Sequence, residues 1–197
     1  MRLRNADPSD RRDTMDLTHK FLIAMPAMAD PNFAGSVVYV CEHTDKGALG
    51  LVINRPTELT LEGLFDKIDL KLEIAPWKDA PVYFGGPVQT ERGFVLHVPA
   101  GSYSSSLPVR DDIALTTSKD ILEAVAGGGG PAKLLVTLGY SGWGAGQLES
   151  EVSANAWLTV DAQQSIIFDT PAEGRQAAAL RLLGVDPSHL SAQAGHA

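Results

Sequence analysis

GSVVYVCEHTDKGALGLVI, residues 35–53, is the stretch on which the fold turns. Two β-rich runs, 35–42 and 48–53, flank the polar turn Thr44-Asp45-Lys46-Gly47, the pattern of a β-hairpin. Upstream, Phe21-Leu22-Ile23-Ala24-Met25 reads as a buried strand stopped by Pro26. Downstream, after Asn54-Arg55-Pro56, Thr60 is placed to cap a short helix with Leu61, Leu64, Phe65 and Ile68 on its inward face. Pro76 to Pro81 is a loop. Val82–Phe84 and Phe94–Val98 read as strands around a Gly85-Gly86-Pro87 turn.

Residues 99–111 are rich in Ser, Pro and Gly and predict a long exposed loop. Ser118 is placed to cap a helix holding Ile121, Leu122 and Val125, which Gly127 to Gly130 terminate. Lys133 to Leu138 predict a further strand, followed by a glycine-rich turn, 139–146, into a helix at about 145–154. Trp157–Val160 and Ile166–Phe168 read as short strands, and 172–183 as an Ala/Leu-rich helix ended by Gly184. Strands come in adjacent groups with few helices between them, which is the order of an α+β fold rather than a βαβ alternation.

A chain of 197 residues with 44% hydrophobic content suits one domain with a sizeable core. Residues 1–16, carrying four Arg and four Asp, read as a flexible N-terminal arm, and 17–197 as the single domain. The net charge of -8 opposes a polyphosphate backbone, so no direct nucleic-acid binding is expected. No apolar run approaches a membrane span and no signal peptide is present, which points to a cytoplasmic protein without membrane contact. The single cysteine, Cys41, sits in the apolar run of the hairpin and reads as a small buried hydrophobe.

The segment Gly139-Tyr140-Ser141-Gly142-Trp143-Gly144-Ala145-Gly146-Gln147 lies where a strand gives way to a helix. Trp143 breaks the spacing of a nucleophile elbow, Ala145 that of a P-loop, and Glu149 that of a dinucleotide fingerprint. Two readings of the turn stay open. Its glycines either expose backbone N–H groups as an anion site at a helix N-terminus, or only let Tyr140 and Trp143 pack over the turn. Gln147 and Glu151, four apart, share a helix face. His43 ends one hairpin strand. Asn54-Arg55 ends the other, where Arg55 either binds a carboxylate or phosphate in bidentate fashion or pairs with an acid. The five histidines form no ligand spacing, so neither a metal nor a cofactor is expected.

Blocks through the chain resemble the YqgE/AlgH family of bacterial proteins. They include Phe21-Leu22-Ile23-Ala24-Met25-Pro26, Glu42-His43, Gly47 to Pro56, Val82-Tyr83-Phe84-Gly85-Gly86-Pro87-Val88 and Gly93-Phe94-Val95-Leu96-His97. Leu138 to Trp143, Gly146-Gln147-Leu148-Glu149 and Asn155-Ala156-Trp157-Leu158 continue the match, which spans about 17–197. The resemblance implies a bent, bifurcated β-sheet forming a pseudo-barrel with helices packed around it. It implies a regulatory association by name and carries no catalytic residues.

Two functions follow as expectations. The first is a non-enzymatic regulatory or binding protein that takes a protein partner or a small anionic ligand. Its candidate ligand-binding residues are His43, Asn54, Arg55, Gly85, Gly86, Tyr140, Trp143, Gly144 and Gln147. The second is a small hydrolase- or transferase-like enzyme with a site at the turn 139–146, using His43 with Glu149 or Glu151 as acid and base.

Overall fold

The computed structural model describes residues 15–75 and 77–190; the proposed arm 1–16 lies almost wholly outside them, as do Pro76 and 191–197. The hairpin forms as read: β2 (Val37–Thr44) and β3 (Gly47–Val52) pair antiparallel around Asp45-Lys46. A bulge at Cys41 shifts their register between Val40 and Glu42, which bends β2 as bulges do. β1 (Lys20–Ala24) pairs with β2 on one side and with β10 (Trp157–Asp161) on the other.

The segment read as a glycine-rich turn is instead strand. β9 runs from Lys133 to Gly144, and Gly50, Leu49, Ala48 and Gly47 of β3 face Ser141, Gly142, Trp143 and Gly144. Its first half pairs antiparallel with β6 (Val88–Val98) and parallel with β5 (Pro81–Phe84), which in turn pairs with β4 (Pro56–Thr60). β9 is therefore the fork of the sheet. β5 leaves it at Leu138 and β3 joins it at Ser141, so one strand serves two branches. β5 and β6 do not pair with each other; both lie against β9.

A second correction concerns 99–111. Its end is β7 (Ser106–Arg110), hairpinned to β8 (Ile113–Thr116). Asp111 and Asp112 both take left-handed backbone, the requirement of a tight two-residue hairpin turn. Pro108 is tolerated because β7 is the outermost strand in the order β10-β1-β2-β3-β9-β6-β8-β7. Ile166–Phe168 is helix, not strand: it lies in α4 (Gln164–Phe168), which buries Ile166 and Ile167.

The remaining helices are α1 (Leu61–Lys67), α2 (Asp120–Ala126), α3 (Gln147–Ser153) and α5 (Arg175–Leu182). Thr60 caps α1 by accepting from the Gly63 N–H. Ser118 does not cap α2; its hydroxyl donates to Asp120 and accepts from the Ser105 N–H. This is an α+β fold whose sheet curls into a half-barrel. The concave side holds Phe21, Tyr39, Leu51, Phe94 and Leu96, closed by α4 and α5. Outside the curl, α3 covers Leu22, Val38, Val52, Trp143 and Trp157, while α1 and α2 cover Val82, Val95 and Val136. Among the described residues no helix is long and apolar enough to cross a membrane.

Candidate functional site

Gly85 and Gly86 sit in the fork. Gly85 N–H donates to Leu138 O, and Gly85 O accepts from the Val52 N–H and the Ser141 hydroxyl. A Cβ on Gly85 would lie 2.3 Å from Gly139 O, and one on Gly86 would lie 2.2 Å from Tyr140 O. Gly86 also has φ +152°. Only glycine permits this approach of backbone to backbone.

Tyr140 and Trp143, three apart on one strand, go to opposite faces. Tyr140 packs on Phe94 with ring centroids 5.3 Å apart, toward the inner core. Trp143 lies outside under α3, with Phe33 stacked at 6.1 Å and Trp157 edge-on at 6.2 Å. Glu151 ties that cluster together, accepting from both indole N–H groups at 2.9 Å and from the Gln147 amide at 3.1 Å. Gln147 in turn accepts from the Gly144 N–H at 3.0 Å. The amide that the turn reading left free for an anion is thus occupied by a side chain.

His43, whose side chain is 3% exposed, bridges three segments. The Leu17 N–H donates to Nδ1 at 3.0 Å, so Nδ1 carries a lone pair and Nε2 carries the hydrogen. Nε2 donates to Glu149 at 2.7 Å. The residues named as an acid–base pair do meet, but the lone pair that a general base needs is already in use. The Glu149 backbone N–H, helped by the His43 N–H, holds the Glu149 carboxyl below the usual carboxylate range, against the effect of burial.

Asn54 and Arg55 stand apart from that group. Asn54 accepts from the Val37 N–H and donates to Gly35 O. Arg55 donates to the carbonyls of Pro31, Asn32 and Ala34. Its protein partners are therefore backbone carbonyls of the loop that precedes β2.

An open cleft of about 410 Å³ lies where the end of the β2–β3 hairpin meets β9 and the start of β6. Glu42, Lys46, Leu49, Val88, Tyr140 and Gly142 shape it, and Trp143 borders it. Of the residues picked from sequence, Tyr140 and Trp143 reach it; Gly144 and Gln147 are tied to each other on the α3 side, and Asn54 and Arg55 hold the loop before β2. Glu42, Lys46, Leu49 and Val88 were not picked, although strand alternation places Glu42 opposite to His43 on β2. Arg175, the first residue of α5, is only 5% exposed and was also missed, because an Arg in an Ala/Leu helix reads as surface.

Among the described residues the other buried polar side chains are internally paired, except for the Ser36 hydroxyl, which has no hydrogen-bond partner. His97 donates from Nδ1 to Pro99 O and accepts at Nε2 from Thr116, while His19 meets the Tyr39 hydroxyl at 2.8 Å. Burial holds both histidines below the ordinary imidazole value and pushes the Cys41 thiol up. Among the described residues no cluster of His, Cys, Asp and Glu is arranged to hold a metal ion.

The model of the AlgH-like family matches residues 21–188. A UPF0301 protein of Bordetella petrii is 66% identical over 191 residues, covering 97% of this chain and 94% of its own length. One from Ralstonia nicotianae is 66% identical over 183 residues, 93% of this chain and 96% of its own. The solution structure of the AlgH protein from Pseudomonas aeruginosa superposes with a TM-score of 0.76 at 51% identity, over 99% of this chain and 100% of that one. A Corynebacterium diphtheriae protein shares the fold at a TM-score of 0.68 and 19% identity, over 89% and 90% of the two chains.

Proposed function

The chain belongs to the AlgH-like family, and from that premise we propose that it is a non-enzymatic regulatory protein that holds an extended segment of a partner protein in the hairpin–β9 cleft. One observation carries the reading. The groups able to do acid–base chemistry, His43, Glu149 and Glu151, are engaged in holding α3 and the N-terminal segment to the sheet, whereas the cleft beside them stays open.

The character of the cleft supports a protein segment rather than a free anion. Glu42 and Lys46 both line it, so the field is mixed, and Leu49, Val88 and Tyr140 offer apolar contacts. Gly142, paired with Leu49 of β3, is exposed there, which suits strand-like recognition. Regulation in this reading passes through protein contact and not through DNA, because a net charge of -8 repels the duplex. A buried, protonated Cys41 suits the reducing cytoplasm in which we place the protein.

The enzyme reading keeps one favourable observation, the 2.7 Å contact of His43 with Glu149. The two are separated by assaying ester, phosphate and peptide chromogenic substrates with the wild type, His43→Ala and Glu149→Gln. The binding reading predicts no wild-type turnover above that of the variants. Wild-type turnover lost in both variants, with both still folded, would establish the enzyme instead.

A further inference from the structure

Between α1, β5, the first half of β9 and the α4–α5 pair lies a second cavity of about 160 Å³, reached by residues of both faces of the sheet. Its floor is buried and apolar: Leu61, Tyr83, Leu135, Val136 and Ile167. Its rim, which includes Trp77, Ala80 and Phe168, is partly exposed and gives a way in. One charge lines it, the guanidinium of Arg175.

That charge is poorly compensated. Nε donates to Thr170 O at 2.9 Å, Nη1 donates to Ile53 O, and the group lies 5.0 Å from the Tyr83 ring centroid. Among the described residues Nη2 has no protein acceptor, and no carboxylate pairs with Arg175. The nearby Asp169 is engaged with Lys133 at 2.8 Å. Arg175 also opens α5, where the helix dipole disfavours a cation. Nη2, without a protein acceptor, is not closed off from solvent, so an anion entering the cavity can reach a donor of this largely buried cation and compensate a charge otherwise faced only by carbonyls and a π-face.

We propose that this cavity is a binding site for a small monocarboxylate with an apolar body, the carboxylate accepting from Arg175 Nη2 and the body filling the Leu61–Val136–Ile167 pocket. Size sets the class. A cavity of about 150 Å³ admits a benzene ring, so a ring or chain of about six carbons fits this one. Guanidinium chemistry sets the head group, because its planar donors match a carboxylate. Phosphate esters of nucleosides are too large and sugars too polar for such walls. The site uses none of the cleft residues and does not depend on the cleft reading.

The test is NMR of the full chain, following the Arg175 Nε–H and Trp77 indole signals during titration with benzoate, hexanoate, benzamide and benzyl alcohol. Both acids should shift both signals saturably below about 20 mM, and the two neutral compounds should bind at least about tenfold more weakly. Near saturation the acids should raise the melting temperature by about 2–4 °C. Arg175→Met should abolish acid binding. Ala80→Leu, which narrows the rim without touching the guanidinium, should weaken it about tenfold or more and serves as the test if Arg175→Met unfolds. The proposal is overturned if no acid saturates, if neutral compounds bind equally well, or if either variant, folded, binds the acids as the wild type does.

Discussion

His43 and Glu149, 106 residues apart in sequence, are joined by a 2.7 Å hydrogen bond from Nε2 to the carboxylate, with the imidazole's other nitrogen held by the Leu17 N–H. The pair fastens the N-terminal segment and α3 to the tip of the β2–β3 hairpin. His43→Ala leaves the buried Leu17 N–H without its acceptor and should cost about 1–3 kcal/mol in chemical denaturation, whereas Glu149→Gln, whose amide oxygen can still accept from Nε2 at a partly exposed position, should cost less than about 1 kcal/mol near neutral pH. The acid limb separates them further. The Glu149 carboxyl has its folded pKa below the ordinary value of 4.5, so its contribution is complete above that pH and disappears as pH falls through the folded pKa. Glu149→Gln should therefore flatten the stability profile on the acid side of about pH 4.5, with no change of shape near neutrality.

Arg55 holds the carbonyls of Pro31, Asn32 and Ala34. Its replacement by Ala should loosen that loop and cost about 1–3 kcal/mol, with little effect on any anion titration. Hydrogen exchange checks this. Amides of residues 33–36 should exchange faster in Arg55→Ala, while those of β9 change little. An unchanged loop with abolished phosphate binding would return Arg55 to a ligand role.

The glycines divide by what they touch. Gly86→Ala drives a Cβ into Tyr140 at a left-handed φ and should cost about 3 kcal/mol or more. Gly144→Ala meets nothing nearer than Gln147 Oε1 at 3.9 Å and should cost less than about 1 kcal/mol. Urea midpoints of the two variants measure the contrast. Equal losses would show that the fork geometry is not what glycine serves here.

DNA should bind weakly and without sequence preference at physiological salt, since the chain carries a net charge of -8. A mobility-shift titration on a panel of promoter fragments tests it. Nanomolar binding to one fragment that survives competitor DNA would place regulation at the operator.

How much of this was legible follows from what each residue type signals. The β2–β3 hairpin could be read because a dense apolar pattern flanks a polar turn. The strand across 139–144 could not: a glycine needed for close backbone approach looks, in sequence, like a glycine needed for a turn. Its partner Gly85-Gly86 comes 53 residues before Gly139, and only the fold shows that the two meet. β7 was hidden by its Ser and Pro content, which an edge strand tolerates, and by an Asp-Asp turn that lacks the usual glycine. The short apolar run at 166–168 fits strand or helix equally, and packing under α5 decided it. His43 and Arg55 were found as unusual residues, but whether such groups bind a ligand or the protein's own backbone depends on long-range partners. Arg175 gave no signal at all, since helix periodicity cannot reveal a buried end.

The cleft is tested most directly by a photo-crosslinking residue placed at Val88, inside it, and at exposed Glu58 on β4, outside it, in living cells of the source bacterium. The account predicts a discrete adduct with another protein from position 88 and none from position 58, with the adduct weakened by Lys46→Glu. No adduct from position 88, or the same adducts from both positions, would contradict it.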